Sequence, residues 1–336
     1  MTQKTALITG VSGQDGSLLT KHLLSLGYKI IAVTRNKPDL WRLILLGILK
    51  DPNISYMCYQ EWIDFKNILK QNKIDEFYHL AAMSHVGQSH NSPLSVFDVN
   101  SIWTIELLNC IVRYSSHTRF FFASSCEIFD INLNKSASED DKKKPTNPYG
   151  ISKNAAHLMV EYFREVKGLF SCNAILFNHE SSLRDDSFVS KKIVSSVAKI
   201  VKGHQQTLSL GNIYSQKDWS CAVNLVPYFH KILNLEQPDD FVLASGQLHS
   251  VKDMVDCAFT ALDYPISWHG SGLDCVARNK KGQTVVSINP KHFRPLDNRF
   301  LTGNTAKAQK YLDFNKLTPF ASWVKDMVVF EWNKLT

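Results

Sequence analysis

No two of the seven cysteines are spaced as C-x-x-C, and none stands with histidine at a zinc-binding interval. Cys58, Cys110, Cys126, Cys172, Cys221, Cys257 and Cys275 lie far apart. This argues against a disulfide framework and against a structural zinc, and it fits reduced thiols. Long apolar runs are also missing: the longest patch, LWRLILLGIL at 40–49, is too short to span a bilayer and carries Arg42. No signal-peptide pattern precedes the first strand pattern, so a cytoplasmic protein without membrane attachment is expected. There is no internal repeat and no low-complexity tract. Nor is there a basic stripe or an interleaving of aromatic and basic residues, which argues against nucleic acid as a partner. The net charge of +7 then reads either as a solvated surface with a slight lysine excess or as attraction to an anionic small molecule.

What is present is the composition of an ordinary globular protein, 44% hydrophobic and 21% charged over 336 residues. That length allows one large domain with an appendage, or two domains. In the first half, short β-rich runs alternate with amphipathic stretches. Strands are predicted over 5–8, 28–35, 54–58, 75–82, 119–125 and 172–177. Helices are predicted over 15–26, 38–49, 61–71, 94–115 and 149–167, the last opened by Pro148. This alternation predicts an α/β fold with a doubly wound parallel sheet, a Rossmann domain over 1–177. Beyond residue 180 the alternation loosens. Residues 178–336 are expected to form a smaller α+β region, mainly substrate-binding, with segments returning to the first domain.

In a doubly wound sheet the ligand lies outside the carboxyl ends of the strands. The stretch ALITGVSGQDGSLL at 6–19 places Gly10, Gly13 and Gly16 between a strand and a helix. Gly10 permits a tight turn, the bare backbone can approach a pyrophosphate on the positive end of the helix dipole, and Gly16 lets helix and strand pack closely. The alternative is a strand–helix turn without a ligand. No acidic residue ends the second strand to meet a ribose 2′-hydroxyl. Thr34-Arg35-Asn36 stands there instead, with Lys37 and Arg42 nearby. A guanidinium suits a 2′-phosphate, so NADP is favoured over NAD, which stays possible.

NPYGISK places Tyr149 and Lys153 four apart on a helix, where their side chains share a face. An ammonium there would lower the phenol's pKa toward working pH, so that Tyr149 could take a proton from a sugar hydroxyl. Ser125 ends a strand and could hydrogen-bond the reacting oxygen, or could simply close the strand. Glu127 is a carboxylate that oxidation does not need and elimination does. The alternative is an exposed glutamate after a strand.

These residues, together with DEFYHLAAMSHVGQS, ASSCEIF, AILFNHESSLR, LSLGNIYSQKDW, HSVKDMV and FRPLDNRFLTGNTAKAQKYL, resemble the extended short-chain dehydrogenase/reductases and, within them, the GDP-mannose 4,6-dehydratase family, nearly end to end. The resemblance implies a lyase acting on a GDP-linked sugar, either GDP-mannose or GDP-manno-heptose, through transient C4 oxidation and loss of water across C5–C6. It implies Tyr149 as base, Lys153 tuning it, Ser125 on the C4 oxygen and Glu127 for the elimination. It also implies cofactor contacts from Gln14, Asp15, Leu80, Ala81, Ala82, Tyr149, Lys153 and His179 beside the glycines and Arg35. Ser84, Asn178, Arg184, Lys192, Lys217, Arg294 and Asp297 would face the nucleotide sugar. A homodimer or homotetramer is expected on the same ground.

The chain departs from the family pattern in several places. CYQE, with Cys58, stands where the family has an acidic D-L-T-D, and Ser125 replaces a threonine. Asp130 replaces a glycine, Lys217 an arginine, and Leu296-Asp297 a Thr-Glu pair. A lysine cannot reproduce a forked arginine contact. Two other readings therefore stay open: a GDP-sugar C4 oxidoreductase, epimerase or reductase on the same frame, and a weakly active cofactor- or sugar-binding paralogue.

Overall fold

A computed structural model describes residues 3–35, 40–59, 62–292 and 300–335. Contacts divide the chain into two compact units: Met1–Phe177 with Ala222–Ala244 and Gly303–Asn315, and Asn178–Cys221 with Ser245–Thr302 and Lys316–Thr336.

The first unit runs β1 (Thr5–Thr9), α1 (Gln14–Ser25), β2 (Lys29–Arg35), α2 (Trp41–Leu45), β3 (Ile54–Tyr59), α3 (Trp62–Gln71) and β4 (Glu76–His79). Then follow α4 (Val86–Ser89), α5 (Pro93–Phe97), a π-helical turn at Asp98–Ile102, α6 (Trp103–Tyr114), β5 (Arg119–Ser125), α7 (Pro148–Glu165) and β6 (Ser171–Leu176). The second unit opens with β7 (Asn178–Glu180), α8 (Val189–Val201), β8 (Leu208–Leu210) and β9 (Gln216–Cys221). The chain returns to the first unit for α9 (Ala222–Leu233) and β10 (Phe241–Leu243).

Seven parallel strands form one sheet in the order β10-β6-β5-β4-β1-β2-β3. The strands are nearly continuous apolar runs because helices cover both faces. Phe120, Phe121 and Phe122 of β5 are all fully buried, so successive side chains feed both layers. The winding reverses between β1 and β4, which makes their carboxyl ends the switch point where a ligand can enter.

Two predicted helices are corrected. Residues 94–115 do not form one helix: a π-helical turn separates α5 from α6. The stretch Pro93–Tyr114 is long and apolar enough to cross a membrane by length and composition, yet Leu107, Leu108 and Ile111 are packed in the core of the first unit. The helix expected over 38–49 is only Trp41–Leu45, stopped at Gly47, whose φ of +71° cannot continue a helix. Residues 38–39 of that prediction lie outside the described part.

The second unit continues with β11 (Leu248–Ser250), α10 (Val251–Thr260), β12 (Ile266–His269), β13 (Val276–Asn279) and β14 (Thr284–Ile288). After α11 (Ala306–Leu312), which belongs to the first unit, it closes with α12 (Phe320–Lys334). Its sheets are β11-β9-β7 and β12-β13-β14-β8. Its core gathers Val194 and Val197 of α8, Met254 and Phe259 of α10, Val324 and Met327 of α12, and Trp219 of β9.

Candidate active site

The glycine turn is built by exclusion. Gly10 sits at φ +73°, and a Cβ on it would lie 2.7 Å from the Ala81 nitrogen and 2.9 Å from the Leu80 carbonyl carbon. The turn after β1 can press against the end of β4 only because that atom is absent. A Cβ on Gly16 would overlap the Gly10 carbonyl oxygen and lie 2.7 Å from the Val11 Cα. The Gly13 amide donates to the Gly10 carbonyl at 2.9 Å. Gly13 caps α1 by position and has no side chain with which to cap it. A helix dipole end behind a bare backbone is what a pyrophosphate requires, so the turn fits a dinucleotide. Gln14 is buried and donates to the Asp15 carboxylate at 3.1 Å. Ala81 and Ala82 are half-buried, and the Ala81 amide faces Thr9 Oγ1 at 3.3 Å.

Arg35 closes β2 opposite Tyr59 of β3, but its side chain lies outside the described part, as do Asn36 and Lys37. Arg42 is buried, stacks over Trp41 and donates from Nη1 to the Ser12 carbonyl at 3.0 Å. Its guanidinium therefore braces the glycine turn.

The second cluster forms where β5 meets α7. Ser125 ends β5, and its Oγ accepts from the Glu127 amide at 3.2 Å, which starts a 3₁₀ turn over Cys126–Ile128. Asn147 caps α7: its Oδ1 accepts from the Gly150 amide at 2.8 Å, with Pro148 at the first helical position. Its Nδ2 donates to Glu127 Oε2 at 2.7 Å. A Cβ on Gly150 would overlap the Glu127 carbonyl oxygen, so the first turn of α7 sits directly on this residue. Tyr149 is buried on that turn. One turn on, Lys153 is 2% exposed, donates to the Ala123 carbonyl at 2.8 Å and lies over the Phe122 ring. Burial pushes its pKa down to about 7.

Two residues that sequence reasoning missed hold α7 in place. The Asn100 amide accepts from the Met83 amide at 2.9 Å and donates to Ser152 Oγ at 3.0 Å. Ser101 Oγ donates to the Ser152 carbonyl at 2.8 Å. The π-helical turn presents both neighbouring side chains to α7 and ties it to the loop after β4. Two adjacent polar residues inside an apolar helical stretch were the available signal. For Asn147 the signal was an asparagine directly before a helix-opening proline.

A further polar group lies beneath β5. His157 Nε2 is 3.0 Å from Glu161 Oε1 and 3.8 Å from Asp240 Oδ2, and its Nδ1 is 3.1 Å from Ser124 Oγ. These three side chains could surround a metal by geometry. However, Arg164 forks onto Asp240 at 2.6 and 3.1 Å, and Lys143 stands 3.6 Å from Glu161. Two cations already balance the two carboxylates, so the cluster is an ion-pair network. His79 is buried beside Thr9, at 2.7 Å from its Oγ1. Burial first, then the Lys153 charge, pushes its pKa down to about 3.

Ser84 is exposed in the loop after β4. Asn178, His179, Arg184, Lys192 and Lys217 belong to the second unit. Asn178 is half-buried and His179 buried on β7, which pairs in parallel with β9. Arg184 Nε lies 3.1 Å from the buried Glu180 carboxylate, and its guanidinium stacks on Phe188. Lys192, half-buried on α8, has its pKa lowered by burial. Lys217 faces His249 across β9 and β11. Its neighbour Asp218 accepts from the Ser245 and Gly246 amides at 2.7 and 2.9 Å, so the acid of Lys217-Asp218-Trp219 clamps a turn. Arg294 and Asp297 lie outside the described residues.

Among solved structures, the fold is similar to a UDP-glucose 4-epimerase from Thermotoga maritima with UDP-glucose (TM-score 0.82, 18% identity, 99% of this chain and 100% of that one). It is also similar to a dTDP-glucose 4,6-dehydratase from Bacillus anthracis in complex with NAD (TM-score 0.80, 18% identity, 99% and 100%). At that identity the likeness carries the fold alone. Sequence relatives go further. The chain is 36% identical to GDP-mannose 4,6 dehydratase 2 of Caenorhabditis elegans, over 97% of this chain and 88% of the relative. It is 33% identical to human GDP-mannose 4,6 dehydratase, over 97% and 91%. The model of the family described as GDP-mannose 4,6 dehydratase matches residues 7–327. With this agreement over nearly its whole length, the chain belongs to the GDP-mannose 4,6-dehydratase family, a family of lyases.

Proposed function

We propose that the protein removes water from a GDP-linked sugar, GDP-mannose or GDP-manno-heptose, to give the 4-keto-6-deoxy sugar. The observation that carries this reading is the Glu127 carboxylate, held at the junction of β5 and α7 beside Ser125 and on the same helix start as Tyr149. Family membership supports the reaction class. The glycine turn would hold the pyrophosphate of a nicotinamide dinucleotide. NADP is favoured over NAD because Arg35, and no acidic residue, closes β2. When bound, the cofactor supplies acceptance of hydride from C4 and its return to C6.

The chain's own groups then move the protons. Tyr149 takes the proton of the C4 hydroxyl, and Lys153 stabilises the phenolate. Ser125 donates to the C4 oxygen as it becomes a carbonyl, which acidifies the C5 proton. Glu127 takes that proton and hands it to the C6 hydroxyl, which leaves as water. The proton taken from C4 is the one C5 requires at the end, so two are taken and two are returned. Asn178, Arg184, Lys192, Lys217, Arg294 and Asp297 are proposed on the nucleotide sugar, with Ser84. Arg184 and Arg294 suit a diphosphate by charge and fork geometry. His179 is proposed near the nicotinamide. A homodimer or homotetramer in the cytoplasm completes the reading.

Incubation with GDP-mannose or GDP-manno-heptose and NADP⁺, followed by product mass, tests the proposal. Loss of one water without net reduction of the cofactor is expected. Glu127→Gln should abolish water loss while C4 oxidation remains detectable. Water loss at the parent rate in that variant would remove Glu127 from the reaction.

A further inference from the structure

We infer that Asn147 is a positioning residue for Glu127: one side-chain amide fixes the carboxylate of the elimination to the helix that carries the oxidation pair. This rests on the role proposed for Glu127 above and assigns a function to a residue that reading leaves out.

Asn147 is 9% exposed, and both ends of its amide are engaged. Oδ1 accepts from the Gly150 amide at 2.8 Å, and Nδ2 donates to Glu127 Oε2 at 2.7 Å. The orientation is not interchangeable. A flipped amide would set an NH₂ against the Gly150 N–H and a carbonyl against the carboxylate. The amide is therefore locked by the helix start, and it locks the carboxylate in turn. The backbone of Glu127 is held as well: its N–H bonds Ser125 Oγ, and its carbonyl lies where a Gly150 side chain would be. Pro148 fixes the entry angle between Asn147 and Tyr149. The base for C5 and the phenol for C4 thus share one rigid corner, and the Asn147 side chain spans it. A few tenths of an ångström matter in such an arrangement.

Capping alone does not need asparagine. Serine and aspartate cap helices about as well, but aspartate has no donor for Glu127, and serine has a single shorter hydroxyl in place of the separate Nδ2. Asn147→Ser therefore keeps the cap and withdraws the donor from Glu127 by the length of the lost amide, and Asn147→Asp keeps the cap and sets a second carboxylate against the first. Each variant is assayed with GDP-mannose and NADP⁺ beside Glu127→Gln. The readouts are kcat, KM, thermal midpoint and absorbance of the reduced nicotinamide at steady state.

The expected result is a kcat for water loss lowered roughly 10–100-fold in Asn147→Ser and further in Asn147→Asp. KM should stay within about threefold, the serine variant should keep its midpoint, and reduced nicotinamide should accumulate because oxidation outruns elimination. Parent-like kcat with no accumulation in the serine variant, while Glu127→Gln loses water loss, overturns the inference and leaves the function standing. Should the serine variant fail to fold, the aspartate variant decides on the same readouts. Water loss persisting in Glu127→Gln overturns both.

Discussion

The Lys153 ammonium donates to the Ala123 carbonyl across 2.8 Å while packed over the Phe122 ring, so the lysine proposed to tune Tyr149 is anchored to the strand that ends at Ser125. Its burial has a consequence for stability. The folded pKa of about 7 lies below the ordinary value of 10.5. Between those values the unfolded chain binds a proton that the folded chain refuses, so stability rises with pH across this window, by at most about 1.4 kcal/mol per unit. Below pH 7 the cost of burying the charge is fully present. Urea midpoints of the cofactor-free protein and of Lys153→Met, taken from pH 6 to 9, should converge as pH rises. Parallel curves would refute the assignment.

Gly16→Ala should destabilise. An exposed helical glycine gains up to about 1 kcal/mol on becoming alanine. Here the new methyl would overlap the Gly10 carbonyl oxygen, and overpacking of this kind costs roughly 1–3 kcal/mol. Calorimetry should show a lower midpoint, and titration with NADPH should show weaker binding. A variant as stable as the parent would mean that the turn relaxes freely.

On the proposed mechanism, Tyr149→Phe and Ser125→Ala should each lower kcat by about 10²–10⁴ with cofactor affinity largely retained, because both would remove a proton-handling hydroxyl and leave the glycine turn intact. Equal losses in cofactor binding and in kcat would point to a folding defect.

Arg164→Met should cost about 3 kcal/mol, since it strips the buried Asp240 carboxylate of its forked partner. Burial pushes the Asp240 pKa up, but Arg164 and His157 outweigh it and hold the carboxyl below its ordinary value. A group with a depressed folded pKa contributes stability at neutral pH that is lost as pH falls through that pKa. The variant should therefore show a shallower acid transition than the parent, measured as unfolding midpoint against pH. An unchanged acid limb would discount the network.

Much of this was legible in the sequence where a short-range rule decided the outcome. The alternation of apolar runs and amphipathic stretches prescribes the sheet, and three glycines between a strand and a helix prescribe the turn. Tyr149 and Lys153 share a helix because Pro148 opens it. What escaped depended on tertiary contact or on breaks in period. Apolar spacing through 94–115 reads as continuous, and nothing local announces the π-helical turn that presents Asn100 and Ser101 to α7. Proximity in sequence places Arg42 near Arg35, and nothing local announces that Arg42 donates to the Ser12 carbonyl of the glycine turn. Arg184 was read for a diphosphate, and its i,i−4 partner Glu180 carries part of its charge.

That bond from Arg42 to Ser12 separates two properties of a dinucleotide site that usually travel together. The guanidinium works as a strut under the loop, so its removal would loosen the grip on either dinucleotide to a similar degree. On the reading proposed above, choice between the two falls to the rim at the end of β2, which Arg35 closes. Cofactor preference could then drift by substitution at that rim, generation after generation, without the loop ever losing its shape.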